Sequence, residues 1–83
     1  MKKEIIFSYD LFSRRVVSFA QEAQERIKGF ALLEKNNRRA NGKSLLGLLS
    51  LGARKGDAIT LICENEKDLN ELEKIIFYIQ EEF

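Results

Sequence analysis

The sequence of 83 residues contains no histidine, no proline and no tryptophan, and its single cysteine is Cys63. Without histidine, a chain has no serine-histidine catalytic triad and no zinc site built from cysteine and histidine. One cysteine forms no intramolecular disulfide, which favours a cytoplasmic location. The sequence therefore predicts no metal, no cofactor and no enzymatic activity.

Long apolar runs are also missing. The apolar run at Ile5-Ile6-Phe7 is far shorter than a signal-peptide core or a membrane span, so we expect no membrane attachment. With 45% hydrophobic and 33% charged residues, the chain is typical of one folded domain over residues 1–83. A domain of this size has a thin core, which favours a binding surface over a deep catalytic cleft.

The net charge of +1 conceals an uneven distribution along the chain. Residues 1–56 hold twelve lysines and arginines against five acids, whereas residues 57–83 hold two against eight. This asymmetry predicts either a basic face for an acidic or phosphorylated partner, or only two solvated faces of opposite sign. The basic residues lack the interleaved aromatics of single-strand binders, so we expect no direct nucleic-acid contact.

Hydrophobic periodicity divides the chain into seven elements. Ser13 is expected to cap the first helix and Gly29 to end it, while Asn36-Asn37 suits a tight hairpin turn. The predicted elements are a strand over residues 2–8, a helix over 13–29, two strands over 30–35 and 38–41, a short helix over 44–52, a strand over 57–63 and a helix over 67–83. This β-α-β-β-α-β-α order predicts an α/β (α+β) two-layer open-faced sandwich with its helices on one face.

Gly42-Lys43-Ser44 matches the end of a phosphate-binding loop, but Asn37 stands where that loop needs a second glycine. We therefore exclude a nucleotide site. Ser44 remains as a serine at the start of a short helix, where it is either a simple N-cap or an acceptor for a phosphate.

Three residues before and inside the first helix also suggest a binding role. Arg14 and Arg15 oppose the helix dipole, and two guanidiniums there suit a phosphate or a carboxylate. The alternative is a solvated pair on an exposed turn. Phe12 is either a staple against the helix or an anchor in a partner's pocket. Cys63 is expected to be a small core residue.

The pattern of the chain resembles the HPr family, the phosphocarriers of the bacterial sugar phosphotransferase system. The resemblance covers nearly the whole chain. It rests on the element order, on Leu11-Phe12-Ser13-Arg14 at the first helix and above all on N-G-K-S-L-L-G-L-L-S-L-G from Asn41 to Gly52. Leu33-Glu34-Lys35 and Gln80-Glu81-Glu82 are similar to Crh, the histidine-lacking regulatory paralogue of the family.

The chain departs from the family pattern at the phosphoryl-accepting site. Phosphocarriers have G-L-H-x-R-P there, whereas this chain has D-L-F-S-R-R, with Phe12 in the place of the histidine. Asp10 and Arg15 replace the glycine and the proline, and only Arg14 is kept. A phenyl ring has no lone pair to attack phosphorus, so we expect no phosphoryl relay through this position.

The resemblance implies regulation through Ser44. In the family, an HPr kinase/phosphorylase-type enzyme modifies this serine, and the phosphorylated protein docks on a LacI-type catabolite repressor. The implied docking residues are Phe12, Arg14, Arg15, Lys43, Leu45, Leu46 and Leu49, with Leu48 contributing in part. A constitutive interaction module, phosphorylated at neither site, is the alternative.

The family fold implies a four-stranded antiparallel sheet in the order 1-4-2-3, covered on one face by three helices. Arg14, Arg15 and Ser44 are expected to be exposed. The positions expected to be buried are Ile6, Val16, Ala20, Ile27, Leu33, Leu48, Leu61, Leu72, Ile76 and Ile79.

Overall fold

The computed structural model describes residues 1–82, so Phe83, which the sequence assigns to the last helix, lies outside the described residues. The elements follow the predicted order and differ from the predicted bounds by a few residues. They are β1 (Lys2–Ile6), α1 (Ser13–Arg26), β2 (Ala31–Lys35), β3 (Arg38–Asn41), α2 (Leu45–Leu51), β4 (Ala58–Cys63) and α3 (Glu66–Glu82).

The four strands form one antiparallel sheet in the order β1-β4-β2-β3, which confirms the predicted topology. In β4, Ile59, Leu61 and Cys63 are fully buried on the face that carries the helices. Alternate residues of a strand point to opposite faces, so these three side chains define the core side of the sheet. The buried position of Cys63 agrees with its expected role as a small core residue.

The two long helices cover this face with apolar stripes at helical spacing. Helix α1 buries Val16, Phe19, Ala20 and Ala23. Helix α3 buries a longer series, which comprises Leu69, Leu72, Ile75, Ile76 and Ile79. Each large apolar side chain contributes about 1.5–3 kcal/mol when fully buried, so this two-layer core is the main source of stability.

The backbone at two turns agrees with the residue types that the sequence places there. Asn36 has a positive φ of 56° in the two-residue turn between β2 and β3, a conformation that asparagine tolerates. Gly52 ends α2 with a φ of 66°, the left-handed conformation that favours glycine after a helix.

The predicted burial is wrong at Ile6 and correct at the other nine positions. Ile6 is 64% exposed, whereas its neighbour Phe7 is 1% exposed and lies in the core. Ile5 also packs against the core. Because strand side chains alternate, a strand that turns Ile5 and Phe7 toward the helices must turn Ile6 away from them.

The predicted ends of α1 are also wrong. The residue at the N-cap is Phe12, which has an extended backbone and supplies no side-chain hydrogen bond. Ser13 is the first residue of the helix, and its φ is 54°. The helix ends at Arg26 instead of Gly29, and Ile27 is already extended. Ile27, at the C-cap, is buried in the core and is 1% exposed.

No helix within residues 1–82 is long and apolar enough to cross a bilayer.

Candidate functional site

A depression of about 330 Å³ lies at the start of α1. The chain reaches it from β1 through a segment held by a hydrogen bond of 2.9 Å from Leu11 N to Ala53 O. Leu11 is fully buried, so it anchors the residues on either side. The residues that line the depression are Asp10, Phe12, Ser13, Arg14 and Arg15. The structure thus brings Phe12, Arg14 and Arg15, which the sequence suggests as binding residues, together in one depression.

Phe12 is half-buried, and the guanidinium of Arg54 lies 5.6 Å from the centre of its ring. Cations at this distance are attracted to the ring face. The neighbouring Lys55 donates its backbone N–H to Asp10 Oδ1 at 2.9 Å. The turn that carries Arg54 and Lys55 therefore contacts two residues of the depression.

Arg14 is exposed as expected, but Arg15 is only partly exposed, so that expectation is wrong for Arg15. The Arg15 guanidinium lies 5.1 Å from the centre of the Tyr9 ring, which explains its partial burial. The Tyr9 hydroxyl donates to Ile76 O at 2.8 Å. Burial raises the pKa of Tyr9 well above its ordinary value, and the positive charge of Arg15 offsets a smaller part of that rise.

The turn behind Phe12 is fixed by Asp57. Its carboxylate accepts one hydrogen bond of 2.8 Å from Arg54 N and forms an ion pair of 2.8 Å with Lys35 Nζ. The hydrogen bond from Lys35, followed by that from Arg54 N, lowers the pKa of Asp57. This network holds the backbone that presents the Arg54 side chain to Phe12.

Ser44 is the N-cap of α2, as one of the two sequence interpretations predicts. Its Oγ accepts a hydrogen bond of 3.1 Å from Gly47 N, and its carbonyl accepts one of 2.9 Å from Leu48 N. The residue is half-buried, so the expectation of an exposed serine is wrong. The reason is that the capping geometry folds the side chain back over the first turn of α2.

The turn before Ser44 is held from three sides. Asn41 accepts hydrogen bonds of 2.9 Å from Lys43 N at its side chain and from Ser44 N at its carbonyl. Gln24 of α1 donates to Lys43 O at 2.7 Å. A Cβ at Gly42 would lie 3.2 Å from Ala31 O, so glycine permits the close approach of this turn to β2.

The leucines of α2 divide between core and surface. Leu48 and Leu51 are buried. Leu45, Leu46 and Leu49 are 39%, 79% and 42% exposed. Leu48 is therefore buried as predicted, and Leu45, Leu46 and Leu49, the leucines implied in docking, form an apolar surface next to Ser44.

The structure places the predicted residues on two surfaces. Helix α1 packs against α2, but neither Lys43 nor Ser44 lines the depression at Phe12. The sequence pattern does not indicate Arg54 or Gln24 as site residues. Arg54 is 42 residues from its partner Phe12 and Gln24 is 19 residues from Lys43, so no local pattern indicated either contact.

These surfaces offer side chains for binding and few for chemistry. Phe12 has no acid-base group, and Ser44 has no histidine partner anywhere in the chain. Within residues 1–82, no three acidic, cysteine or histidine side chains come together as a metal site would require.

The fold is a small open-faced sandwich, and the candidate binding residues lie on its exterior. The family model described as the PTS HPr component phosphorylation site matches residues 4–81. The chain therefore belongs to the HPr family of the phosphotransferase system.

Its relatives include both Crh and HPr proteins. The HPr-like protein Crh of Bacillus subtilis is 38% identical over 98% of this chain and 94% of its own length. The crystal structure of B. subtilis Crh superposes with a TM-score of 0.70, at 37% identity, over 98% of this chain and 92% of that one. The phosphocarrier HPr of Bacillus anthracis has a TM-score of 0.80 at 29% identity, over 94% of each chain. The chain is thus a Crh-like homologue of HPr.

Proposed function

We propose that this protein is a regulatory member of the HPr family that acts through Ser44 and carries no phosphoryl group on the Phe12 site. An HPr kinase/phosphorylase-type enzyme phosphorylates Ser44, and the product binds a LacI-type catabolite repressor. The observation that carries this proposal is the position of Ser44 at the N-cap of α2, directly beside three exposed leucines.

The environment of Ser44 supports a phosphate that changes the surface without changing the fold. The turn that precedes it is held by Asn41 and Gln24 through backbone groups of Lys43 and Ser44, and none of these bonds uses the serine hydroxyl. Phosphate oxygens are strong acceptors, so they replace Oγ as the partner of Gly47 N. The added charge then lies next to Lys43 and the apolar side chains.

The exposed leucines support a protein partner. Leu46 is 79% exposed, and Leu45 and Leu49 lie near it on the same short helix. An apolar centre beside polar and charged groups is the usual composition of a protein interface. The basic residues Arg14, Arg15 and Lys43 supply positive charge for acidic groups of the repressor.

The loss of the phosphoryl relay follows from the residue types at the start of α1. We infer that Phe12 stands where phosphocarrier relatives hold their acceptor histidine. The chain has no histidine to take over that role. The depression instead holds an aromatic ring with a guanidinium against it, which suits contact with a partner better than transfer of a phosphoryl group.

Binding to the LacI-type repressor of the source organism tests this proposal. The phosphorylated protein should bind at least ten-fold more tightly than the unmodified protein, and Leu46→Ala should weaken that binding. Phe77→Ala is the matched control, because Phe77 is a similarly exposed apolar residue on α3 and should leave repressor binding unchanged.

The same titration addresses the alternative of a constitutive interaction module. Equal affinity of the modified and unmodified proteins would favour that module over the regulated one. With equal affinities, the exposed leucines of α2 would remain the binding site only if Leu46→Ala weakened the complex.

A further inference from the structure

A depression of about 280 Å³ lies between the loop that follows α1 and the start of α3. Its volume is close to the lower end of the roughly 300–1,000 Å³ that small-molecule sites have. Apart from Gly29, all of its lining residues are polar or charged. This Asp68 depression is defined by Lys28, Gly29, Glu64, Lys67 and Asp68. Its composition suits a small polar molecule.

Asp68 is the most buried charged residue of the depression, with 9% of its surface exposed. Asn65 Oδ1 accepts a hydrogen bond of 2.8 Å from Asp68 N, which fixes the start of the helix that carries the carboxylate. Within residues 1–82, no group forms a hydrogen bond or an ion pair with that carboxylate. Burial of a charge is costly unless the charge is paired. Asp68 can therefore accept hydrogen bonds from a cationic group in the depression.

Gly29 leaves space for such a group. A Cβ at this position would lie 2.6 Å from Glu64 Oε2 and 3.0 Å from Asp68 Oδ2. Both carboxylates therefore face the same side of Gly29, and their oxygens are close enough for one ammonium group to bridge them. Hydrogen bonds between charged groups are shorter and stronger than those between neutral groups.

Two lysines balance the charge of these carboxylates. Lys28 and Lys67 line the same depression, and neither forms an ion pair within the described part of the chain. Arg26 and Glu71 also line it, but they are bonded to each other at 2.8 Å. The charges without a partner are thus two carboxylates and two ammonium groups, with a net charge of zero.

This distribution of charge matches neither a simple cation nor a simple anion. A metal ion would be repelled by the lysines and by the positive end of the α3 dipole. Within residues 1–82, three acidic side chains do not gather as a metal site requires. An anion would be repelled by Glu64 and Asp68. A molecule that carries both an ammonium and a carboxylate group matches both pairs of side chains.

We propose that the Asp68 depression binds a small polar α-amino acid as its zwitterion. The ammonium group donates to the carboxylates of Glu64 and Asp68. The carboxylate accepts from Lys28 or Lys67, whose long side chains reach it over a range of positions. No residue of α2 lines this depression, so the site is independent of the phosphorylation proposed for Ser44.

Titration of the ¹⁵N-labelled protein with L-serine tests the proposal by NMR. We expect saturable chemical-shift changes confined to residues 27–30 and 63–68. Ethanolamine lacks the carboxylate of L-serine, and N-acetyl-L-serine lacks its ammonium group. Each should bind the unmodified protein about ten-fold more weakly or worse, as expected for the loss of a hydrogen bond between charged groups.

Substitutions in the depression provide a second test. Asp68→Asn removes the buried charge and should weaken L-serine binding about ten-fold. Glu66→Gln is the matched control, because Glu66 is an exposed acid in the same turn of α3 and does not line the depression. It should keep the affinity within about two-fold.

Gly29→Ala should also weaken L-serine binding, because its Cβ displaces the Glu64 carboxylate. That carboxylate is the end of a flexible side chain, so the backbone keeps its place. The amide spectrum of each variant, recorded before the titration, shows whether it is folded.

Several results would overturn the proposal. They are an absence of saturable shifts, shifts centred on α2 or on Phe12, equal binding of L-serine and ethanolamine, and an unchanged affinity in Asp68→Asn. Displacement of L-serine by MgCl₂ or CaCl₂ at lower concentration would assign the depression to a metal ion and would equally contradict the proposal. None of these results bears on the phosphorylation of Ser44.

Discussion

Gly47 donates its backbone N–H to Ser44 Oγ at 3.1 Å, and a Cβ added at Gly47 would lie 3.2 Å from the same oxygen. The cap and the absence of a side chain at Gly47 are therefore linked. Glycine inside a helix normally costs about 1 kcal/mol relative to alanine. At this position the close contact between an added Cβ and Ser44 Oγ opposes the stability that is usually gained when alanine replaces glycine in a helix.

The first prediction is that Gly47→Ala gains less than about half of that usual 1 kcal/mol in unfolding free energy. Urea denaturation of the wild type and of Gly47→Ala measures this difference in unfolding free energy. In a Ser44→Gly background, where both close contacts of the added Cβ are removed, the same replacement should gain about 1 kcal/mol. Equal gains in the two backgrounds would show that the cap and Gly47 are not coupled.

A second prediction separates the two roles of Ser44. Ser44→Ala should lower the unfolding free energy by about 1 kcal/mol, because the helix loses its side-chain acceptor. Ser44→Asn should stay within about 0.5 kcal/mol of the wild type, since asparagine caps helices well and has no hydroxyl to phosphorylate. Urea denaturation of both variants provides the comparison, and equal losses would contradict the capping role. Ser44→Asn is consequently the folded control for every phosphorylation experiment.

The third prediction concerns pH. The pKa of Asp57 is lower in the folded protein, through its bonds to Lys35 and to Arg54 N, than its usual value of about 3.9. Its contribution to stability is therefore present above about pH 4 and is lost as the pH falls through the folded pKa. The difference in unfolding free energy between wild type and Asp57→Asn should be constant from about pH 5 to pH 7 and should shrink below about pH 4. A difference that does not change with pH would show that the folded structure does not lower the pKa of Asp57.

A fourth prediction tests the depression at the start of α1. Incubated with phosphoenolpyruvate and the first enzyme of the phosphotransferase system, the wild type should gain no acid-labile phosphate. Phe12→His should accept little, because Asp10 lines the same depression and its carboxylate repels a phosphoryl group. Incorporation of ³²P measures the amount of phosphate that the wild type and Phe12→His each accept. Efficient transfer by the single variant would show that Phe12 alone blocks the relay.

The sequence predicted the order of the elements because their apolar spacing changes clearly between strand and helix. It failed at Ile6 because three apolar residues in succession, Ile5-Ile6-Phe7, carry no alternation. Pairing with β4, which places Ile5 opposite Ile59, determines which residues of β1 face the core. Such pairing is not visible within one segment.

The ends of α1 show a different limit. Ser13 is a good capping residue by type, yet the capping position belongs to Phe12, and Ser13 has a positive φ. The bond from Leu11 N to Ala53 O fixes how the chain enters the helix. At Ser44 the local pattern was sufficient, because the cap and the helix that it starts are adjacent in sequence.

Mass spectrometry after treatment with a cognate HPr kinase/phosphorylase-type enzyme and ATP tests the central claim most directly. The account predicts one phosphate on the wild type, located at Ser44, and none on Ser44→Asn. Phosphate on Ser13 or Ser50, or on no residue, would contradict regulation through Ser44.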